Sequence, residues 1–196
     1  EAAAGNDTVL GGAGSDTIYG GTGSDTLRGD DGSDTLFGGT EADSLDGGNE
    51  NDRLEGGDGA DNIVVGRGDT ALGQNDADVF RLDPVQTGTG AATITGGEGV
   101  TAGGTDVDRI DATAITSGVT VNYTGSEAGT LSGGGASYGF SEIERVTTGA
   151  GNDSINAAAV TAGGINVDTG AGDDTVVGGA GNDTIVSGTG ADSIRG

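Results

Sequence analysis

The sequence predicts an all-β fold in which short parallel strands coil into a solenoid, and three observations predict it. Aspartates recur at a constant spacing of nine residues from Asp7 to Asp61. A branched aliphatic residue follows each aspartate by two positions, as Ile18 follows Asp16. Glycine accounts for 45 of the 196 residues and opens most units as a pair. Such a register does not arise by chance, so it outweighs an apolar content of 32%, which alone would suggest disorder.

Each nine-residue unit divides into a loop and a strand. The last three positions read small polar, aliphatic, variable, as in Thr26-Leu27-Arg28. Successive side chains of a strand face opposite ways, so only the aliphatic one points inward. The first six positions are glycine-rich, and glycine permits positive φ and a close approach of carbonyl groups to a ligand. Because two units make one coil of 18 residues, the loop of Asp7 stacks beside that of Asp25.

The repeat divides the chain into three segments: an N-terminal block (1–81), an irregular β-rich insert or set of widened coils (82–147) and a C-terminal block (148–196). Within the first block Val65–Leu72 is a degenerate unit, with Thr70 where the aspartate is expected. Asp83-Pro84 ends the block, because proline cannot donate to a strand ladder. The insert loses the nine-residue period but keeps β-type stretches at Ala92–Thr95, Val119–Tyr123 and Glu142–Thr147.

The composition excludes several classes of function. There are 32 acidic and 7 basic residues, and the net charge of −25 repels nucleic acid and anionic lipid. Without Cys or His there is no disulfide, no zinc site and no Ser-His or Cys-His nucleophile pair. No apolar run approaches the roughly 20 residues of a membrane span. Glu1-Ala2-Ala3-Ala4-Gly5 shows no signal peptide. We therefore expect no nucleic-acid partner, no direct membrane insertion and no enzymatic activity of the chain.

The composition also predicts that the coiled chain needs a cation. Ordering the backbone of nine glycine-rich residues costs more free energy, through lost conformational entropy, than the burial of one aliphatic side chain contributes. Carboxylates stacked along both edges of the solenoid repel one another in addition. Calcium takes about six to eight oxygen ligands and accepts carbonyls alongside carboxylates, whereas magnesium demands tighter geometry. Transition metals favour imidazole or thiolate, which this chain lacks. We therefore expect folding that depends on calcium.

One full unit, Gly20-Gly21-Thr22-Gly23-Ser24-Asp25-Thr26-Leu27-Arg28, carries a family resemblance. It resembles G-G-x-G-x-D-x-U-x, the calcium-binding nonapeptide of the repeats-in-toxin (RTX) family, in which U is a large aliphatic residue. The resemblance implies a right-handed parallel β-roll, in which each ion lies between two loops of one edge and is bound by both aspartates and several loop carbonyls. The implied aspartate pairs are 7–25, 16–34, 25–43, 34–52, 43–61, 61–78, 153–174 and 174–192. About eight calcium ions would offset most of the net charge.

The resemblance implies two sets of metal ligands. The aspartates are Asp7, Asp16, Asp25, Asp34, Asp43, Asp52, Asp61, Asp78, Asp153, Asp174, Asp183 and Asp192. The glycines that would offer carbonyls are Gly12, Gly14, Gly21, Gly23, Gly32, Gly39, Gly48, Gly57, Gly59, Gly172, Gly179, Gly181 and Gly190. Asp183 lacks an obvious partner on its own edge. Glu41 and Glu50 replace fourth-position glycines, Asp30 replaces a second-position one, and Thr70 removes a ligand, so we expect weaker or empty sites there.

These features favour a calcium-dependent structural module of a secreted bacterial protein, similar to the repeat regions of surface-layer proteins, adhesins and extracellular fibres. Open solenoid ends expose unpaired strand edges, so we expect other copies or a parent chain to stack there. Calcium dependence favours an extracellular location, and the type I secretion of the family fits it. An alternative is the folding and secretion domain of a larger toxin or hydrolase. A polysaccharide-modifying enzyme is a remote alternative, because only carboxylates and three tyrosines could act as acids or bases.

Overall fold

The computed structural model describes residues 4–97 and 106–196, and these ranges contain strands and turns but no α-helix. They therefore include no helix long and apolar enough to cross a membrane. Two parts of the predictions lie outside the described residues: Glu1–Ala3 of the N-terminal stretch, where no signal peptide is expected, and residues 98–105 of the predicted insert. The strands are β1 (Thr8–Ala13), β2 (Thr17–Thr22), β3 (Thr26–Asp31), β4 (Thr35–Thr40), β5 (Ser44–Asn49), β6 (Arg53–Asp58), β7 (Asn62–Val65), β8 (Thr70–Asn75), β9 (Val79–Leu82), β10 (Ala92–Thr95), β11 (Arg109–Asp111), β12 (Thr120–Tyr123), β13 (Gly129–Gly133), β14 (Ala136–Ser141), β15 (Arg145–Thr147), β16 (Ser154–Asn156), β17 (Asn166–Asp168), β18 (Thr175–Val177), β19 (Thr184–Val186) and β20 (Ser193–Arg195).

The strands form two sheets that the chain visits in turn. The nine-stranded sheet is parallel throughout and has the order β1-β3-β5-β7-β9-β11-β15-β17-β19. The eleven-stranded sheet has the order β2-β4-β6-β8-β10-β14-β13-β12-β16-β18-β20. Thr8 lies opposite Thr26 in the first sheet, and Thr17 lies opposite Thr35 in the second. The predicted offset of 18 residues is therefore present, and the predicted parallel β-solenoid is confirmed.

The strands of the first block are longer than the sequence predicts. β1 to β6 are six residues each, and they continue past the aliphatic residue through the glycine pair. Glycine backbone remains in the ladder because the neighbouring coil presents a matching partner, as Gly39 does for Gly21. In the second block β16 to β20 have the three residues that the pattern predicts.

The core is formed by the inward-facing aliphatic residue of each unit, in one column per sheet. Leu27, Leu45 and Ile63 lie in one column, and each is at most 1% exposed. Leu36 and Leu54 lie in the other column and are fully buried. Complete burial of such a side chain stabilises the fold by about 1.5–3 kcal/mol. Each coil thus contributes to a narrow continuous core between the sheets.

The insert continues both sheets although its sequence loses the period. β10 and β11 pair in parallel with β8 and β9, and the three predicted β-type stretches contain β10, β12 and β15. The eleven-stranded sheet then makes an antiparallel detour through β12, β13 and β14. Leu131 lies opposite both Val121 and Tyr138, and all three are buried, so this detour adds to the same core.

Candidate metal centres along the solenoid edges

The aspartates of the repeat lie in two rows, one along each edge of the solenoid. Row 1 precedes the strands of the nine-stranded sheet and row 2 precedes those of the eleven-stranded sheet. Along both rows the backbone N–H of one aspartate donates to Oδ1 of the aspartate one coil further, at 2.7–3.1 Å. Row 1 contains Asp7, Asp25, Asp43, Asp61, Asp78 and Asp108. Row 2 contains Asp16, Asp34, Asp52 and Asp69 and, beyond the insert, Asp153, Asp174 and Asp192.

The second carboxylate oxygen of most of these aspartates is buried without a donor. Within the described ranges no hydrogen bond reaches Oδ2 of Asp16, Asp25, Asp34, Asp43, Asp52, Asp61, Asp78 or Asp174. An ionised carboxylate in this position is costly. Burial, reinforced by neighbouring carboxylates, raises the pKa of Asp43 to about 6, that of Asp61 to about 7 and that of Asp78 to about 9. A cation beside these oxygens would remove the cost.

Five residues before seven of the aspartates of the first block, a glycine leaves the space in which Oδ2 lies. A Cβ on Gly38 would lie 2.5 Å from Oδ2 of Asp43 and 2.5 Å from the carbonyl oxygen of Gly56, one coil further. A Cβ on Gly20 would likewise lie 2.5 Å from Oδ2 of Asp25. Both of these cradles bring a carboxylate oxygen close to a main-chain carbonyl oxygen. The cradle glycines are Gly11, Gly20, Gly29, Gly38, Gly47, Gly56 and Gly73. The sequence analysis did not select these first-position glycines as ligands, although most belong to a visible glycine pair.

The glycines that the sequence analysis did select occupy the turns next to the cradles. All of them have positive φ except Gly179. Gly39, with φ of 121°, shows why: a Cβ there would overlap the carbonyl oxygen of Gly21 in the preceding coil. Carbonyl oxygens of these turns therefore face the neighbouring loop. Their role as calcium ligands remains a proposal.

The side chains alone do not complete a metal site. Across residues 4–97 and 106–196, no three acidic side chains converge in a group that could hold a metal. A site between two coils would therefore combine carboxylate oxygens with main-chain carbonyls. Calcium accepts this mixture and its irregular geometry, so the residues present fit calcium.

The acidic residues that the sequence analysis named as departures from the glycine pattern keep the shape of the turn. Asp30, Glu41 and Glu50 have φ of 76°, 70° and 74°, values that glycine adopts more readily. Oε2 of Glu41 accepts a hydrogen bond from the N–H of Gly23 at 2.7 Å, and Oε2 of Glu50 accepts one from Gly32 at 2.8 Å. Hydrogen bonds from the Thr40 hydroxyl and from Gly23 lower the pKa of Glu41. That sites using these loops are weaker stays a prediction.

The prediction that Thr70 occupies the aspartate position was wrong. Thr70 pairs with Arg53 in the sheet, and Asp69 enters row 2, where it accepts a hydrogen bond from the N–H of Asp52 at 3.0 Å. The unit is one residue short, so its aspartate comes after eight residues instead of nine. Oδ2 of Asp69 accepts a hydrogen bond from the N–H of Gly66 at 2.7 Å. This carboxylate is therefore satisfied by the protein, unlike its neighbours in row 2.

A strap of residues 83–90 crosses the same edge and interrupts row 2. The Gln86 amide donates to Oδ1 of Asp46 at 2.8 Å, and the carbonyl of Thr87 accepts from the N–H of Glu50 at 2.5 Å. The side chain of Asn51 exchanges hydrogen bonds with the backbone of Thr89, both at 2.9 Å. Row 2 resumes only beyond the insert.

The carboxylates of the second block are less uniform. Asp153 accepts hydrogen bonds from the N–H of Val119 at 2.7 Å and from the Thr148 hydroxyl, so both of its oxygens have donors. Thr148 stands five residues before Asp153, where the first block has a cradle glycine. Asp183 accepts from the N–H of Ile165 at 3.1 Å, and Ile165 occupies the position where an acidic partner was missing in the sequence.

Three acidic residues of the rows were not among the ligands that the sequence predicts: Asp69, Asp108 and, after Asp108, Glu144. The N–H of Asp108 donates to Oε2 of Glu144 at 2.6 Å. A signal for the last two was present, because Asp108-Arg109-Ile110 and Glu144-Arg145-Val146 repeat the order acid, variable, aliphatic. Without the nine-residue spacing this short pattern was not distinctive.

The fold and the two rows define a class of protein, a parallel β-solenoid whose repeated glycine–aspartate loops bring carboxylate and carbonyl oxygens of neighbouring coils together. The sequence model of the RTX calcium-binding nonapeptide repeat matches the chain four times, over residues 1–36, 37–72, 138–159 and 166–196. These matches cover more than half of the chain, which therefore belongs to the RTX calcium-binding nonapeptide-repeat family. The predicted family and the calcium-stapled β-roll are thereby confirmed. A search of curated proteins found no match.

Proposed function

We propose that this chain is a calcium-dependent structural module of a secreted bacterial surface protein, of the surface-layer, adhesin or fibre kind. The observation that carries the proposal is the series of buried Oδ2 atoms that no donor reaches in the described part of the chain. A fold with this series of unsatisfied carboxylates requires compensating positive charge. RTX β-rolls are typically structural and not catalytic, which agrees with a chain that lacks Lys, His and Cys.

The proposed ions lie between successive carboxylates of each row. In the first block the pairs are 7–25, 25–43, 43–61 and 61–78 in row 1, and 16–34 and 34–52 in row 2. In the second block they are 153–174 and 174–192, for about eight ions in all. Carbonyls of the predicted glycines and of the cradle glycines complete the coordination. Because each internal aspartate serves two neighbouring sites, occupation of one site organises the next.

Calcium dependence supports a role outside the cell. Extracellular calcium modules bind at about 10⁻⁴–10⁻³ M, so such a chain stays unfolded at cytoplasmic calcium and folds after export. Folding free energy is then supplied by binding free energy. This supports the proposed location at the bacterial cell surface.

Self-association at the solenoid ends is part of the proposal. Val9 of β1 and Ile185 of β19 face the core but are only partly buried, and Ile194 of β20 is 51% exposed. These end coils have one neighbour each within the described chain, so a second copy stacked there would cover them. A single monomeric species at high calcium in light scattering would count against this part.

The proposal is tested by circular dichroism with and without excess calcium, followed by ion counting. We expect a coil-like spectrum in chelator, a β-rich spectrum in calcium and several ions per chain, with poor substitution by magnesium. An unchanged β-rich spectrum after thorough removal of calcium would refute the proposal.

A further inference from the structure

Row 1 continues beyond the residues that match the family repeat. The N–H of Asp78 donates to Oδ1 of Asp108 at 2.7 Å, which is the bond that links aspartates within the matched repeats. Asp108 is followed by Arg109 and Ile110, and Ile110 lies opposite Phe80 in the nine-stranded sheet. Residues 73–137 match no repeat of the family model, yet Asp108 holds the place of the next repeat aspartate.

The backbone around Asp108 also reproduces the glycine pair of a repeat. The carbonyl oxygen of Gly96 accepts a hydrogen bond from the N–H of Gln74 at 2.7 Å and lies 2.7 Å from where a Cβ on Gly73 would be. A Cβ on Gly96 would overlap Oδ2 of Asp108. Gly97 has φ of 132° and lies over the carbonyl of Gln74, as Gly57 lies over that of Gly39. Gly96 and Gly97 therefore occupy the first and second positions of a repeat loop.

An insertion explains why this unit is not visible in the sequence. Five positions separate Gly20 from Asp25, whereas twelve separate Gly96 from Asp108, so the loop gains seven residues. Additional residues in a loop cost little entropy when the two ends remain fixed. The period fails in the sequence, while the glycine pair and the aspartate keep their places on the edge.

The side chain of Asp78 directs a buried oxygen without a hydrogen-bond donor toward the loop of Gly96. Asp78 is fully buried, and its Oδ2 has no hydrogen-bond donor among the described residues. This oxygen lies where a Cβ on Gly73 would be, beside the carbonyl oxygen of Gly96. Carboxylate and carbonyl oxygens in this arrangement are the ligands that calcium prefers.

We propose that Asp78 and Asp108, with main-chain carbonyl oxygens at Gly73 and Gly96, hold a further calcium ion outside the matched repeats. The inference rests on the proposed calcium function and adds one site to row 1. Row 1 continues to Glu144, whose Oε2 accepts from the N–H of Asp108. Only one residue separates Glu142 from Glu144, so no glycine loop precedes Glu144 and the series of proposed sites ends at Asp108.

The direct test is a crystal of the wild-type chain grown with calcium and analysed in an anomalous difference map. A peak between Asp61 and Asp78 tests the proposed function, and a peak between Asp78 and Asp108 tests the present inference. Peaks along the matched repeats with none between Asp78 and Asp108 would overturn the inference alone. The absence of every peak would overturn the proposed function first.

Ion counting in solution gives a second test with a matched control. Asp108→Asn should lower the number of bound calcium ions by one relative to Asp111→Asn. The control makes the same charge change at the end of β11, where the carboxylate accepts from the Thr113 hydroxyl at 2.6 Å. Circular dichroism in calcium establishes that both variants are folded. If Asp108→Asn does not fold, Asp108→Glu keeps the charge but displaces the oxygens, and the anomalous map of the wild type decides independently. An equal ion count in the folded Asp108 variant and in the control would refute the site.

Discussion

Asp43→Asn tests the dependence of the fold on its ions most sharply, because its effect should change sign with calcium. Asp43 lies in the middle of row 1 and is 3% exposed. Its Oδ1 accepts from the N–H of Asp25, and its Oδ2 has no donor in the described structure. Asparagine keeps the shape and one acceptor oxygen but removes the negative charge. In calcium the variant loses ligand strength, whereas in chelator it loses an uncompensated charge.

The magnitude follows from the two sites that share Asp43. An ion that binds only the folded chain stabilises it by about 2.7 kcal/mol when free calcium is 100 times its dissociation constant. Weakening the sites on both sides of Asp43 therefore removes up to about 5 kcal/mol in saturating calcium. In chelator the substitution should be neutral or stabilising, because burial already raises the pKa of Asp43 to about 6.

Urea unfolding followed by circular dichroism measures stability in calcium, and the residual β signal before urea is added measures it in chelator. The matched control is Asp58→Asn, which removes the same charge from an exposed side chain that accepts from the Asn75 amide at 2.6 Å. We expect the Asp43 variant to be less stable than the control in calcium. We expect its residual β signal in chelator to be no lower than that of the wild type. A loss of similar size in calcium and in chelator would refute the reasoning, since it would make Asp43 structural without regard to metal.

Three further predictions follow from burial and space. In chelator the fold should weaken as pH rises from about 4 to about 7, because burial raises the pKa of groups such as Asp61 from 3.8 to about 7, so that the folded state binds more protons. Calcium affinity should rise over the same pH interval, and a flat pH titration in both conditions would contradict this prediction. Leu45→Ala should lower the free energy of urea unfolding in saturating calcium by about 2–5 kcal/mol, since Leu45 is fully buried. The control Val85→Ala, at a site 83% exposed, should change it by no more than about 0.5 kcal/mol, and equal effects would refute the assigned core. Gly38→Ala should raise the calcium concentration at the folding midpoint roughly tenfold or more, equivalent to about 1.4 kcal/mol, because a Cβ there would lie 2.5 Å from carboxylate and carbonyl oxygens. In the control Gly125→Ala the added Cβ meets no described atom within 4 Å, and an unchanged midpoint for Gly38→Ala would contradict the cradle.

The regular part of the molecule could be predicted because its signal is local and repeated. An aspartate followed two residues later by an aliphatic residue places one side chain on the edge and one in the core, as Asp25 and Leu27 show. A constant spacing of nine then determines which loops are neighbours. The strand lengths were less predictable, because glycine has little strand preference by itself and is held in β1 to β6 by the adjacent coils.

The cradle glycines and Asp69 show the limit of reading one unit at a time. Gly38 matters because the next coil brings a carbonyl oxygen against it, a contact that no single unit contains. Asp69 joins row 2 although its unit is one residue short, because the sheet pairing of Thr70 with Arg53 sets its position.

The sequence by itself determined the coil, the inward aliphatic column and the aspartates of both edges wherever the period holds, because periodic side chains on a periodic backbone repeat the same environment. Only the tertiary structure decided that row 1 reaches Asp108, that the strap interrupts row 2 and that antiparallel strands join an otherwise parallel sheet. Thirty residues separate Asp78 from Asp108, yet the two lie one coil apart. The physical reason is that hydrogen bonding between coils fixes the distance between strands, whereas the length of the connecting loop is only weakly constrained by entropy.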